Sequence, residues 1–118
     1  SFKLALYAGA TASLGATTTA FATSLPGQIT GTNYTAGGAA LTPGAAAPSS
    51  TGTTAFVDFA DLTFSTATIT ASGCLIYNDT QSDKSVATIS FGASKTSTAG
   101  DFTIVFPTAG ANAIITIA

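Results

Sequence analysis

The side chains able to carry acid–base or nucleophilic chemistry are few in this chain. It contains no His, Glu or Arg, and Cys74 is its one cysteine. Eight side chains are charged: Lys3, Lys84, Lys95, Asp58, Asp61, Asp79, Asp83 and Asp101. Without histidine, neither a Ser-His-Asp nor a Cys-His arrangement is possible, and no Ser-x-x-Lys spacing occurs. The sequence therefore predicts no catalytic residue and no enzymatic activity.

Residues that could bind a metal ion are equally few. Zinc sites draw on clustered Cys and His, which this chain lacks. Asp79 and Asp83 lie in "NDTQSDK", which has neither the EF-hand spacing nor its closing Glu, so a hairpin turn with solvated carboxylates is expected. Cys74 follows a glycine in an apolar stretch, where a small packing residue is expected rather than a nucleophile. We predict no metal site and no cofactor.

The glycine-rich stretch "GTNYTAGGAALTPGAAAP" (31–48) raises the question of phosphate binding. A P-loop needs G-x-x-x-x-G-K-[ST] between a strand and a helix, and this stretch has no Lys and no following helix. A dinucleotide loop needs G-x-G-x-x-G, which is absent. Gly37-Gly38 is instead expected to make a turn with positive φ. The remainder predicts an extended arm over 31–53, stiffened by Pro43 and Pro48.

Composition narrows the partners. Charged residues make up 7% of 118 residues, against about 25% in ordinary domains, and the net charge is −2. Three lysines cannot form a basic groove, so no nucleic-acid binding is expected. No apolar run approaches the roughly 18–20 residues of a membrane helix. The length suits one domain, 1–118.

The elements that must position any site are predicted to be strands. Two-residue alternation and β-branched or aromatic residues favour strands in eight segments: 2–8, 54–59, 61–65, 67–71, 73–78, 85–91, 101–106 and 112–117. Turns are expected at Ser72-Gly73, 78–84, 92–101 and 107–112. One short helical turn is expected within 12–23, capped by Ser13. These elements predict an all-β fold, an antiparallel β-sandwich or jelly roll, with an open barrel as the alternative.

The alternation also assigns an inward face. The predicted core comprises Leu4, Leu6, Phe56, Leu62, Phe64, Ile69, Leu75, Tyr77, Ile89, Phe91, Phe102, Ile104, Phe106, Ile115 and Ile117. Cys74, Ile76, Val105 and Ile114 are apolar but out of phase with this set. One interpretation is scattered surface hydrophobics, which are normal. The other is a second buried face formed with a neighbouring subunit.

The order of motifs resembles a family of small structural proteins of tailed bacteriophages. The likeness runs from Phe2 to Ala118 through "FKLALY", "GTNYTAGGAAL", "FVDFADLTFSTATITASGCLIYND" and "ATISFGASKTSTAGDFTIVFPTAGANAIITIA". The chain departs from the family pattern at Phe64, where Trp is usual, and at Ser72, where Arg is usual. The resemblance implies a virion component. Similar small β-sandwich proteins decorate capsids, commonly as trimers at three-fold or quasi-three-fold positions.

The resulting hypothesis is a capsid decoration (cement) protein. It would be made in the bacterial host cytoplasm, form homotrimers and bind the major capsid protein on the outer surface of the capsid. We expect subunit contacts at Cys74, Ile76, Val105 and Ile114. We expect capsid contacts in the arm, at Asn33, Tyr34, Pro43 and Pro48, and an arm that is poorly ordered in an isolated subunit.

A second hypothesis from another class is a receptor- or glycan-binding module of a phage tail or fibre. Exposed aromatic side chains can stack on sugars, and the tyrosines are Tyr7, Tyr34 and Tyr77. Copy number distinguishes the two hypotheses, because decoration requires hundreds of copies per particle and a tail or fibre needs far fewer. Neither hypothesis involves a small-molecule substrate.

Overall fold

The described residues of the computed structural model, 1–9, 14–44 and 48–117, form two antiparallel sheets. Seven strands lie in these ranges: β1 (Phe2–Tyr7), β2 (Ala39–Leu41), β3 (Ser49–Thr51), β4 (Thr54–Val57), β5 (Leu62–Asn78), β6 (Lys84–Ile104) and β7 (Ile115–Ile117). The four-stranded sheet has the order β2-β1-β5-β6, and the three-stranded sheet has the order β3-β4-β7. No helix occurs in these ranges. The predicted all-β class is confirmed, and its two antiparallel sheets are consistent with a small sandwich-like fold.

The chain divides into two compact units. The first unit comprises Ser1–Ala40 and Phe64–Phe102, and the second comprises Leu41–Thr63 and Thr103–Ala118. That the whole chain is one domain stays a prediction. In the described part of the chain, no helix is long and apolar enough to span a membrane.

The centre of the first unit is the antiparallel pair of β1 and β5. Leu4 lies opposite Ile76 and Leu6 opposite Cys74, so these four side chains share one face. Ala5, Tyr7, Leu75 and Tyr77 lie on the other face, and Leu14, Phe21 and Leu25 pack against them. Both faces are buried. Strict alternation failed here because "LALY" and "CLIY" are continuous apolar runs, which are typical of strands buried on both sides.

β5 and β6 are longer than predicted, because each strand continues through a segment that was expected to be a turn. The predicted turn at Ser72-Gly73 is wrong: a Cβ at Gly73 would lie 2.7 Å from the carbonyl oxygen of Ile89, so glycine serves the close approach of β6. The predicted turn over 92–101 is also wrong, since these residues continue β6.

The turn predicted over 78–84 is present. The N–H of Gln81 donates to the backbone carbonyl of Asn78 at 3.1 Å. Ser82 and Asp83 have positive φ, and this turn closes the β5–β6 hairpin. Asn78 Oδ1 also accepts from Thr80 N–H, which is an Asx turn.

The predicted arm over 31–53 is not a loop throughout, because β2 and β3 lie within it. Gly37 and Gly38 have φ of 92° and 76°, so the predicted glycine turn is confirmed, and β2 follows it directly. β3 and β4 form a hairpin in which Thr51 lies opposite Thr54. Gly52 takes φ of 59° at the first turn position, which favours glycine. Residues 45–47 of the arm lie outside the described residues.

Most of the predicted core is correct, but its two members in β7, Ile115 and Ile117, were assigned to the wrong face. Nine members are buried: Leu4, Leu6, Phe56, Phe64, Ile69, Leu75, Tyr77, Phe102 and Phe106. Five members are partly exposed: Leu62, Ile89, Phe91, Ile104 and Ile115. Ile117 is 73% exposed. The buried face of the three-stranded sheet is the one that carries Phe56. Phe56 lies opposite Thr116, so Ile117 occupies the other face.

The helical turn expected within 12–23 is not present in its described part. Residues 14–23 contain a non-helical turn in which Thr18 N–H donates to Gly15 at 3.0 Å. The run of threonines is a poor helix former, which agrees with this outcome. Ser13, the expected cap, lies outside the described residues.

Candidate functional site

Two of the four predicted subunit-contact residues are buried inside the isolated chain. Cys74 is 1% exposed and Ile76 is 0% exposed. Their interpretation as an outward apolar face is wrong, because the face that they share with Leu4 and Leu6 is buried within the chain itself. Burial raises the pKa of the Cys74 thiol to about 12, so it stays protonated and serves packing, as predicted.

Val105 meets the expectation of an outward apolar residue. It is 72% exposed, directly after β6. The next residue, Phe106, is buried against Phe59 with ring centroids 5.7 Å apart, and its N–H donates to Asp61 at 2.9 Å. Because Phe106 is anchored on the inward side, Val105 is held outward. Ile114 is partly buried, and a subunit contact at either residue stays a prediction.

The small sheet exposes a further apolar surface that the sequence analysis missed. Ala55 lies opposite Ile117, and Val57 lies opposite Ile115, so these four side chains share one face. We call them the β4–β7 face. A cavity of about 130 Å³ adjoins it, lined by these residues with Pro48, Ser49 and Phe56. The apolar alternation in "NAIITI" could have revealed this face, but Ile115 and Ile117 were assigned to the core side instead of the outward side.

The predicted capsid-contact residues at the start of the arm differ from each other. Asn33 is exposed with φ of 59°, and its Nδ2 donates to the carbonyl of Thr66 at 3.0 Å. Tyr34 is only 9% exposed, its hydroxyl accepts from Leu6 N–H at 2.8 Å, and its ring contacts Phe64. Tyr34 is therefore a core residue, and its assignment as a capsid contact is wrong.

Residues 42–44 of the arm are hydrogen-bonded to residues 58–60 of the second unit. Pro43 and Pro48 are exposed, and Pro43 forms an isolated bridge with Phe59. Gly44 N–H donates to the carbonyl of Asp58, and Ala60 N–H donates to Thr42, both at 2.9 Å. Contact of the two prolines with a capsid stays a prediction.

The tyrosines do not provide the stacking surface expected for glycan binding. Tyr7, Tyr34 and Tyr77 are all buried. Tyr77 stacks on Phe21 at 4.6 Å and donates to the carbonyl of Gly37 at 2.7 Å. Desolvation, with smaller contributions from neighbouring tyrosines and aspartates, raises the pKa of Tyr7 and of Tyr77 to about 12. The tyrosine-based form of the glycan hypothesis is therefore wrong.

The carboxylates serve separate local roles. Asp101 accepts from Thr66 N–H at 3.1 Å, and Asp79 pairs with Lys3 at 3.2 Å on the surface. Asp58 is buried against Gly44, where a Cβ would overlap its carboxylate. Among residues 1–9, 14–44 and 48–117, no group of three or more His, Cys, Asp or Glu side chains could hold a metal ion.

No protein-family model, curated protein or solved structure matches the chain.

Proposed function

We propose that the chain is a structural protein of a tailed-phage virion, a decoration protein that binds the major capsid protein on the outer surface of the capsid. The phage assignment rests on the ordered motifs from Phe2 to Ala118. The role in an assembly is supported by the second unit, which exposes large apolar side chains.

The exposed apolar side chains of the second unit carry the proposal. Val105 and Ile117 are each more than two-thirds exposed, and Ile117 belongs to the β4–β7 face. The second unit contains only two charged residues, Asp58 and Asp61. Interface cores are depleted of charged residues, and exposed apolar patches mark sites of association. This surface suits contact with another protein subunit.

The trimer is taken from the resemblance, and the surface is compatible with it. A three-fold axis joins two different surfaces of each subunit. The second unit offers two exposed apolar elements, Val105 and the β4–β7 face. Each contact is modest, but repetition over a closed shell makes many such contacts act together.

The test is to co-express the chain with the major capsid protein encoded in the same genome and to reconstruct the particles by electron microscopy. Decoration predicts density on the outer shell in hundreds of copies. Density confined to the tail or a fibre, in a few to tens of copies, would contradict the proposal and favour the tail or fibre module.

A matched pair of variants tests the surface. Val105→Asp combined with Ile117→Asp is expected to abolish both the trimer, measured by light scattering, and the binding of the protein to particles. Both should be lost because the new carboxylates would have to be desolvated at the interface. The control is Val86→Asp, an exposed valine of the first unit, which should leave both unchanged. A trimer that survives the double substitution would overturn this placement.

A further inference from the structure

The first unit contains a groove lined by uncharged hydrogen-bonding groups. It has a volume of about 440 Å³ and is bordered by residues 27–30, by Thr68–Thr70 of β5 and by Thr96 and Ser97 of β6. The polar side chains along it are those of Gln28, Thr30, Thr68, Thr70, Thr96 and Ser97, which we call the hydroxyl groove. No side chain lining it is charged. Its volume falls within the roughly 300–1,000 Å³ of small-molecule sites.

Backbone contacts hold the walls of the groove in place. β1 ends at Tyr7, opposite Gly73, while β5 extends on to residues 68–70. Two backbone hydrogen bonds attach the segment 27–30 to the end of β1. The N–H of Ala8, directly after β1, donates to the carbonyl of Gly27 at 2.8 Å, and the N–H of Ile29 donates to the carbonyl of Leu6 at 3.1 Å. Gly31 lies against the carbonyl of Thr68, where a Cβ would overlap it. The groove is therefore formed before any ligand arrives.

Most polar groups of the groove retain hydrogen-bond donors, whereas the hydroxyl of Ser97 donates to the carbonyl of Ala67 at 2.9 Å and can only accept. Thr70 and Thr96 share one hydrogen bond at 2.9 Å, so one of the two hydroxyl protons remains available. Thr68 Oγ1 accepts from Ala99 N–H at 3.0 Å and keeps its own proton to donate. Gln28 Oε1 accepts from Gly37 N–H at 2.5 Å, which leaves both N–H donors of its amide. The groove thus offers donors and acceptors together without charge.

We propose that the hydroxyl groove binds a neutral carbohydrate. A sugar ring presents hydroxyls that donate and accept alternately, which matches a wall of threonine and serine hydroxyls and one carboxamide. A phosphate or carboxylate ligand would find no cation here, and a cationic ligand would find no carboxylate. Ile29 and Ile69 also border the groove but are buried, so a ligand would be held mainly by hydrogen bonds. This site lies within the first unit and does not depend on the proposed role in a capsid.

The experiment is a ¹⁵N–¹H NMR titration of the full chain with glucose, galactose, mannose and N-acetylglucosamine, each added separately. At least one sugar should shift the amide signals of residues 28–30, 68–70 and 96–97 saturably, with a millimolar dissociation constant. Glucose 6-phosphate serves as the charged counterpart and should bind more weakly than glucose. Absence of saturable shifts with all four sugars, or stronger binding of the phosphate, would overturn the proposal.

The chain offers a matched control for the hydroxyls. Thr70→Val with Thr96→Val removes a cross-strand hydroxyl pair from the groove and should weaken sugar binding about tenfold, the effect of one or two lost hydrogen bonds. Thr63 and Thr103 form the same pair at 2.9 Å outside the groove, so Thr63→Val with Thr103→Val should leave binding unchanged. Equal effects of the two double substitutions would refute the site.

If the first double variant does not fold, Thr30→Val provides a second test. Thr30 is exposed and lies outside the strands, so its replacement should preserve the dispersed spectrum and still weaken sugar binding. Unchanged affinity in this variant would count against the proposal.

Discussion

The two units of the chain differ in how far their strands bury apolar residues. In the first unit, β1 and β5 bury both of their faces over residues 4–7 and 73–77, and the three tyrosines of the chain lie inside with their rings packed. In the second unit, Ala55, Val57, Ile115 and Ile117 form an apolar face of which Ile117 is 73% exposed. Apolar composition alone therefore does not distinguish a core from a surface for association. The strand partner of each residue, and the side on which large aromatics are buried, make that distinction.

Removing volume from the first unit should have the largest effect on folding. Leu75→Ala is expected to lower the free energy of unfolding by about 2–5 kcal/mol, because a fully buried leucine leaves a cavity. Val105→Ala in the second unit should change it by about 0.5 kcal/mol or less. Urea unfolding followed by circular dichroism measures both. Similar losses from the two substitutions would break the contrast between buried and exposed apolar residues.

Glycine turns in the two units should also respond differently. Gly38 has φ of 76°, and a Cβ at this residue would lie 2.6 Å and 2.8 Å from backbone atoms of Leu4 and Ala5. Gly38→Ala is therefore expected to lower the free energy of unfolding by about 3 kcal/mol or more. Gly52 has φ of 59° with open space around it, so Gly52→Ala should cost only about 1 kcal/mol. Thermal unfolding of the two variants compares these values. A cost at Gly52 that matches the cost at Gly38 would show that φ alone, and not the close approach to β1, sets the effect.

Buried hydroxyls within the first unit provide a finer comparison. Tyr34→Phe removes the acceptor of Leu6 N–H and should destabilise the chain by about 1–3 kcal/mol, since a buried donor loses its partner. The hydroxyl of Tyr7 is buried without a hydrogen-bond partner, so Tyr7→Phe should leave stability unchanged or raise it slightly. Denaturant unfolding of both variants under one condition decides the matter. A destabilising Tyr7→Phe would mean that this hydroxyl has a partner in solution.

The sequence was sufficient for the strand class and for most of the core, because β-branched alternation and large aromatics report local pairing directly. It was insufficient where a signal had two meanings. Gly73 resembled a turn glycine, but its role is the close approach of β6, which depends on a neighbour in space. "CLIY" resembled an outward apolar face because two-residue alternation assumes one wet side. Threonines at alternate positions such as Thr68 and Thr70 are ordinary in strands, and only the neighbouring segment 27–30 makes them part of a groove.

The smallest effect on folding, and the sharpest test of the comparison, is expected at Val105 and Ile117. Val105→Ser with Ile117→Ser should change the free energy of unfolding of the monomer by about 0.5 kcal/mol or less, because both side chains are already mostly in water. The same pair should weaken association, measured by sedimentation, because the contact loses apolar area that would be removed from water. Folding and association would thereby be separated in one variant. A loss of monomer stability comparable to that of Leu75→Ala would place these residues in a core and remove the distinction between the two units.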